Sequence, residues 1–171
     1  MSTQNTNRLD ATAEDLDPDK IYVVGIAVFR PAAELGGDST PQLLLVQRSA
    51  HEAMPNLWEI PGGGVEPAET IREAAFRELK EETGLVATNV LGECEERGWI
   101  SRRTSKVCEK FTFVVEVEQP IQMVLDPKEH QNWRWLRESE IEGLNFECDE
   151  RFAQEQREVM RGIFSWCHKN N

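Results

Sequence analysis

Three consecutive glycines at positions 62–64 stand directly before a segment whose two ends carry helix signals. Glycines in a row allow a sharply turned loop, because glycine adopts backbone dihedrals that are closed to other residues. Pro67 suits a first helical position, Glu69 complements the positive end of the helix dipole, and Gly84 can close the helix in a left-handed cap. The segment therefore predicts a tight turn followed by a helix over residues 67–83.

The predicted helix carries three glutamates, Glu78, Glu81 and Glu82, at spacing i, i+3 and i+4. This spacing places them on one side of the helix, and a helical-wheel projection groups them with the small and apolar residues. Like charges so spaced destabilise a helix by about 0.2–0.5 kcal/mol per pair, so the cluster needs open water or a cation. Carboxylate oxygens suit Mg²⁺ or Mn²⁺ better than Zn²⁺. Spacing alone leaves open a metal site or a set of solvated surface charges.

The rest of the chain predicts a mixed α/β domain. Apolar and β-branched runs, together with one amphipathic repeat, predict strands over residues 21–29, 42–47, 88–100 in part, 107–117 and 132–136, and a second helix over 149–169. We expect the first two strands to pair within one sheet. A chain of 171 residues has the size of one domain, so strands alternating with two helices predict a sheet covered on both faces.

The first 19 residues differ in composition from the rest of the chain. They are polar and acidic, and they lack the apolar residues needed to offset the entropy of ordering. The sequence therefore predicts a mobile acidic tail over residues 1–19, followed by a single domain over residues 20–171.

Charge and composition exclude several classes of function. Nineteen Lys and Arg against 31 Asp and Glu give a formal net charge of −12, which would repel a nucleic-acid backbone. No apolar stretch approaches the roughly 20 residues of a membrane-spanning helix. The four cysteines lie far apart without a C-x-x-C pair, so we expect reduced thiols in an intracellular protein. Residues 1–20 lack a targeting pattern, and we expect a cytoplasmic location.

The segment over residues 63–85 resembles the complete box of the Nudix hydrolases, G-x5-E-x7-R-E-U-x-E-E-x-G-U, where U is a bulky aliphatic residue. The matching residues are Gly63, Glu69, Arg77, Glu78, Leu79, Glu81, Glu82, Gly84 and Leu85. The preceding run from Trp58 to Gly62 is similar to the W-E-x-P-G lead-in of that family, and Glu129-His130 with Trp135 resembles its E-H-x4-W element. The resemblance implies an α/β/α sandwich, with a mixed sheet between the box helix and a C-terminal helix.

The same resemblance implies hydrolysis of a nucleoside diphosphate linked to another moiety, with Mg²⁺ or Mn²⁺ as cofactor. Glu78 and Glu82 match the principal metal ligands, Glu81 a further ligand or a base, and Gly62 a backbone carbonyl ligand. The general base varies within the family, so Glu81, Glu78 and Glu129 all stay open as catalytic candidates. Divalent cations would also explain how an acidic chain accepts an anionic substrate.

Other residues are candidates for supporting or binding roles. By resemblance, the box residues Arg77 and Glu69 form an ion pair that supports the loop and the helix. The substrate-binding candidates are Arg48, which ends a predicted strand, Glu59 in the lead-in, and Trp133. Any one of Trp58, Trp133 and Trp135 could stack on a base. No chemistry is assigned to His51, His130 or His168.

The substrate class rests on signatures that this chain lacks. Ile100 and Ser101 occupy the place where ADP-ribose hydrolases of the family carry a proline, and the only tyrosine of the chain is Tyr22. The leading expectation is a nucleoside triphosphate pyrophosphatase of the housecleaning type. Alternatives are an inositol pyrophosphate or dinucleotide polyphosphate hydrolase, the former if Arg102, Arg103 and Lys106 gather in one loop, and a non-catalytic nucleotide-binding module. The oligomeric state is left open.

Overall fold

A computed structural model of the chain describes residues 8–30, 35–37, 40–144, 146 and 150–170. The strands are β1 Ile21–Ala27, β2 Gln42–Arg48, β3 Trp58–Glu59, β4 Gly62–Gly64, β5 Ala87–Ile100, β6 Val107–Val117 and β7 His130–Arg137. The helices are α1 Ala13–Leu16, α2 Ile71–Thr83 and α3 Glu150–Asn170, with short 3-10 turns at Arg8–Asp10 and Glu138–Gly143. Within these residues, none of the helices is long and apolar enough to cross a membrane.

The strands form two sheets. One has the order β4-β1-β6-β5 and is mixed, because β1 and β6 run parallel while the other pairs are antiparallel. The other is antiparallel with the order β3-β2-β7. Our expectation that β1 and β2 pair within one sheet was wrong, because β1 pairs with β4 and β6 in one sheet, whereas β2 pairs with β3 and β7 in the other. The two strands meet only beyond the end of β1, where Phe29 bridges Leu43.

Two hydrophobic cores lie on opposite faces of this framework. Alternate side chains of β1 and β6, such as Val24 and Phe111, pack with Ile71 and Leu79 of α2. On the other face, Val114 and the β2 residues Leu43 and Leu45 pack with the α3 residues Met160, Ile163 and Phe164. This arrangement confirms the predicted α/β/α sandwich between the box helix and the C-terminal helix.

The first described residues pack on the domain, in contrast to the mobile tail expected over residues 1–19. The backbone amide of Ile71 donates to the carbonyl of Ala11 at 3.0 Å, and Ala11 is buried. Arg8 lies 5.1 Å from the centre of the Phe111 ring and pairs with Glu93 and Glu96. Apolar side chains together with the contacts of Arg8 therefore dock residues 8–16 on the domain, while residues 1–7 lie outside the described residues.

The box helix α2 begins later than predicted and ends where predicted. Thr70 is its N-cap, and Thr70 and Glu73 form a reciprocal capping box, so that the predicted start at Pro67 was wrong. Gly84 adopts a left-handed conformation with φ 73° and donates its N–H to the carbonyl of Lys80, which confirms the predicted cap. Cys94 and Cys108 are free thiols, and Cys148 lies outside the described residues.

The N-cap predicts the effect of two substitutions. Thr70→Ala removes the hydroxyl that accepts from the Glu73 amide and should lower the free energy of unfolding by about 0.5–2 kcal/mol. Thr70→Ser keeps the hydroxyl and should stay close to the unsubstituted protein. Chemical denaturation of the three proteins measures the difference. Equal destabilisation by both substitutions would assign the effect to the methyl group instead of the cap.

Candidate active site

The glycine turn passes unusually close to neighbouring groups. At Gly62, with φ +156°, a Cβ atom added in ideal geometry would lie 2.1 Å from the carbonyl oxygen of Val24, and at Gly63 it would lie 2.5 Å from the carboxyl carbon of Glu78. Side chains at these positions would displace either the β1 backbone or the α2 carboxylate. The glycines therefore allow β4 to lie between β1 and the glutamates of α2.

Glu82 is the most deeply buried carboxylate of the site, with 5% of the residue exposed. Its Oε2 accepts a hydrogen bond from the backbone N–H of Gly62 at 2.9 Å. Burial first, and then the nearby charges of Glu59, Glu78 and Glu129, raise the pKa of Glu82 to about 9, although the hydrogen bond from Gly62 opposes the shift. Without a cation the carboxyl therefore holds a proton at neutral pH, and a divalent cation would replace that proton.

The other two box glutamates have different surroundings. Burial raises the pKa of Glu78, although a hydrogen bond from Arg77 Nη1 at 2.8 Å opposes the shift. Glu81 is largely exposed, and its carboxylate accepts from the same Nη1 at 3.2 Å. The prediction that all three glutamates share the buried side was therefore wrong for Glu81, which lies at the edge of that face and reaches solvent.

Arg77 and Glu69 form the supporting ion pair that the resemblance implies. Nε and Nη2 of Arg77 donate to the two carboxylate oxygens of Glu69 at 3.1 and 2.6 Å, and Nη2 also donates to the carbonyl of Gly64 at 3.0 Å. Partial burial raises the pKa of Glu69, but these hydrogen bonds outweigh it and hold the pKa below its usual value. The Arg77 guanidinium thus connects the glycine turn at Gly64 to Glu69, which directly precedes the N-cap of α2, and to Glu78.

Glu129 and His130, at the start of β7, approach the α2 glutamates from the other sheet. One ligand atom each of Glu82, Glu129 and His130 lies within 4.8 Å of the other two. His130 is buried, its Nε2 lies 3.5 Å from Glu59 Oε1, and its Nδ1 has no hydrogen-bond partner among the described residues. Glu129, whose catalytic role the sequence left open, therefore lies in the cluster. His130, to which the sequence assigned no chemistry, lies there as well.

This donor set fits a divalent cation. Carboxylate oxygens arrive from two different elements, and a buried imidazole nitrogen beside them lacks a partner among the described residues. Hard oxygen ligands suit Mg²⁺ and Mn²⁺, and Mn²⁺ also accepts imidazole. A cation here would neutralise charges that otherwise repel each other in a partly desolvated cluster.

The substrate-binding candidates lie next to this cluster or on the strands that carry it. Arg48 donates to Glu59 at 3.1 Å and to Glu52 at 3.3 Å, so its guanidinium already has acidic partners. Val46 of β2 pairs with both Glu59 and Trp133, which places all three in one row on one sheet face. Trp133 is 38% exposed and lies edge-on to Trp135, whereas Trp58 packs on the α3 core.

Lys110 was missed by the sequence analysis. It lies on β6 between two strands, and its side chain crosses the surface of the sheet at Gly25. The available signal was a lysine directly before the mostly apolar segment Phe111–Val115, in a strand with buried residues on both faces.

Comparison with known proteins places these residues in a family context. The model of the NUDIX domain matches residues 20–162. An RNA pyrophosphohydrolase of Caulobacter vibrioides is 31% identical over 111 residues, covering 65% of this chain and 49% of that protein. A CTP pyrophosphohydrolase of Escherichia coli is 51% identical over 47 residues, covering 28% of this chain and 35% of that protein. The chain spans about half the length of the Caulobacter relative.

Solved structures show the same fold. A binary complex of a C. elegans Ap4A hydrolase has a TM-score of 0.62 at 22% sequence identity, covering 87% of this chain and 98% of that chain. At that identity the likeness concerns the fold.

The raised pKa of Glu82 predicts how the stability of the folded protein depends on pH when a chelator removes divalent cations. Between the usual pKa of 4.5 and the folded pKa of about 9, the unfolded chain loses this proton while the folded protein keeps it, so this contribution to stability falls as pH rises. Glu82→Gln removes this titration. The melting temperature of the variant should therefore rise relative to that of the unsubstituted protein as pH increases from 5 to 9. Glu66→Gln, at an exposed position, is the control, and parallel pH curves for all three proteins would contradict the burial argument.

Proposed function

The chain belongs to the NUDIX domain family, and we propose that it hydrolyses a phosphoanhydride bond of a nucleoside diphosphate linked to another group, with nucleoside triphosphates as the leading substrates. The carrying observation is the convergence of Glu82, Glu129 and His130 within 4.8 Å, next to the glycine turn that precedes α2. Glu78, Glu82 and the carbonyl of Gly62 would hold Mg²⁺ or Mn²⁺, with Glu129 beside them. Once bound, the cation neutralises phosphate oxygens and lowers the pKa of the attacking water.

The hydrogen bonds around the glutamates support one general base over the others. The carboxylates of Glu78 and Glu81 both accept from Arg77, and such charge-assisted bonds reduce the basicity of an oxygen. Glu129 is exposed and makes no side-chain hydrogen bond or ion pair with the described residues. Glu129 is therefore the proposed acceptor of the water's proton, and it lies beside Glu82 where that water would be activated.

Charge and surface features support a small nucleotide as substrate. At −12 the chain repels an extended polyanion, whereas a cation at the glutamates can neutralise one diphosphate. Trp133 is partly exposed and lies in the same cross-strand row as Glu59, so its ring can stack on a base there. Arg48, at the end of β2, can bind a phosphate by exchanging one of its two carboxylate partners, for which its planar guanidinium is suited.

A second candidate is an inositol pyrophosphate. Arg102, Arg103 and Lys106 are exposed in the single turn that joins β5 to β6. A ring of phosphates could use this concentration of positive charge on an otherwise acidic surface. The same assay separates the two candidates, because only one of them carries a nucleoside.

Phosphate release, with a coupling pyrophosphatase, tests the proposal across a defined panel. The panel contains ordinary and oxidised nucleoside triphosphates, dinucleotides, nucleotide sugars, inositol pyrophosphates and a 5′-triphosphorylated RNA oligonucleotide, each with Mg²⁺, Mn²⁺ or chelator. We expect cation-dependent turnover of nucleoside triphosphates to monophosphate and pyrophosphate. Reaction in H₂¹⁸O, followed by mass spectrometry, identifies the phosphorus that water attacks. Nucleotide binding without turnover would favour the non-catalytic module.

Substitution of Glu82 tests the cation-binding role separately from the fold. Glu82→Gln keeps the shape of the side chain but removes an anionic ligand, so cation-dependent turnover should fall to background while circular dichroism stays unchanged. Mn²⁺ titration followed by electron paramagnetic resonance should show weakened binding. Glu66→Gln should leave both turnover and Mn²⁺ binding unchanged. Full turnover by folded Glu82→Gln would remove this residue from the metal site.

A further inference from the structure

The imidazole of His130 is buried beside the carboxylates of Glu82 and Glu129. The residue is 3% exposed, and one of its ring nitrogens lies within 4.8 Å of a carboxylate oxygen of each glutamate. Two atoms that bind one Mg²⁺ at about 2.1 Å are at most about 4.2 Å apart. The nitrogen and the two oxygens are therefore about as close together as the ligands of a single cation.

The two ring nitrogens of His130 have different surroundings. Nε2 lies 3.5 Å from Oε1 of Glu59, and an ionised carboxylate accepts hydrogen bonds but cannot donate them, so this contact places the ring proton on Nε2. Nδ1 then carries a lone pair, yet it is buried and has no hydrogen-bond partner among the described residues. One nitrogen therefore faces a carboxylate, and the other is available to a ligand.

Metal-binding histidines show this division between their ring nitrogens. A histidine that binds a metal usually donates its other ring N–H to a carboxylate, which fixes the tautomer and the orientation of the ring. Glu59 lies where that carboxylate is expected, and Nη1 of Arg48 donates to the same Oε1 at 3.1 Å. A buried acceptor without a partner is unfavourable, and a cation at Glu82 would supply the partner.

The backbone at the start of β7 fixes the position of His130. The amide of Ser49 donates to the carbonyl of Glu129 at 2.7 Å, and the register of β2 and β7 shifts between Gln47 and Arg48, which pairs with His130. Such irregularities interrupt the strict alternation of side chains and are common next to active sites. The shift allows the consecutive residues Glu129 and His130 to reach the same cluster instead of opposite faces.

We propose that an imidazole nitrogen of His130 is a ligand of the divalent cation at Glu78 and Glu82, and that this nitrogen makes the site favour Mn²⁺ over Mg²⁺. The inference rests on the cation site of the proposed function and deepens it. Mg²⁺ takes oxygen ligands and keeps several of its waters, whereas imidazole is a ligand of first-row transition metals. His130 therefore adds a ligand that suits only one of the two ions, and Glu59 orients its ring.

Electron spin-echo envelope modulation of the protein loaded with Mn²⁺ tests this assignment without any reaction. A histidine nitrogen bound to Mn²⁺ gives ¹⁴N modulation, and labelling with ¹⁵N-histidine changes it. We expect the ¹⁴N signal in the unsubstituted protein and its loss in His130→Gln. The control is His168→Gln, which alters a half-exposed histidine of α3 beside Glu138 and should keep the signal. Bound Mn²⁺ without nitrogen modulation in the unsubstituted protein, or modulation that persists in His130→Gln, would overturn the proposal.

Cation selectivity gives a second measurement on the same variants. Competition of Mg²⁺ against Mn²⁺, followed by the paramagnetic resonance signal of free Mn²⁺, gives the ratio of the two dissociation constants. His130→Gln replaces the nitrogen with an amide oxygen that suits Mg²⁺, so the preference for Mn²⁺ should fall by about 10-fold or more, as at sites that lose a supporting residue. His168→Gln should keep the ratio. A histidine with only a structural role would weaken both cations alike on removal, and an unchanged ratio would overturn the proposal.

The assignment can be decided even if His130→Gln does not fold. The chain has three histidines, and His51 and His168 are both exposed. ¹⁵N-histidine labelling shows that the signal comes from a histidine, and its persistence in His51→Gln and in His168→Gln assigns it to His130. Loss of the signal in either of these variants would assign the nitrogen elsewhere and overturn the proposal.

Nucleotide turnover separates this inference from the proposed activity. If the unsubstituted protein binds Mn²⁺ through His130 but hydrolyses no nucleotide, the proposed activity fails and the inference stands. If it hydrolyses nucleotides with either cation but shows no nitrogen modulation, the activity stands and the inference fails. A folded protein that binds neither cation would overturn both.

Discussion

The buried carboxylate of Glu82 imposes the constraint on which the rest of the site depends. A carboxylate with so little exposure is stable only if hydrogen bonds, a proton or a cation compensate for lost hydration. The amide of Gly62 supplies one hydrogen bond, which requires β4 to lie close to both α2 and β1. That approach accounts for the glycines, and Arg77 then holds the turn in place through the Gly64 carbonyl.

The division into two sheets explains how one cluster gathers residues from distant parts of the sequence. The α2 glutamates lie against the mixed sheet, whereas Glu59, Glu129 and His130 belong to or adjoin the strands of the antiparallel sheet. The two sheets meet where the residues after β1 bridge the start of β2, at Phe29 and Leu43. The glutamates and His130 come together between them, so a cation bound there would connect the two halves of the sandwich and stabilise the folded protein by linkage.

The sequence was most informative where one residue type is physically required. Gly84 at the left-handed cap and the glycines beside Glu78 could be identified because other residues are strained or excluded there. The start of α2 was misplaced because Pro67 and Thr70 are both acceptable start signals, and only the observed capping box decides between them. Glu81 was placed on the buried face because a helical wheel gives an angle and contains no information on where the packed surface ends.

Long-range partners were beyond the reach of the sequence. Residues 8–16 look like a solvated tail by composition, yet Ala11 and Arg8 find partners on α2, β5 and β6 that are distant in the chain. This docking depends on which strands and helices become neighbours, which local periodicity does not determine.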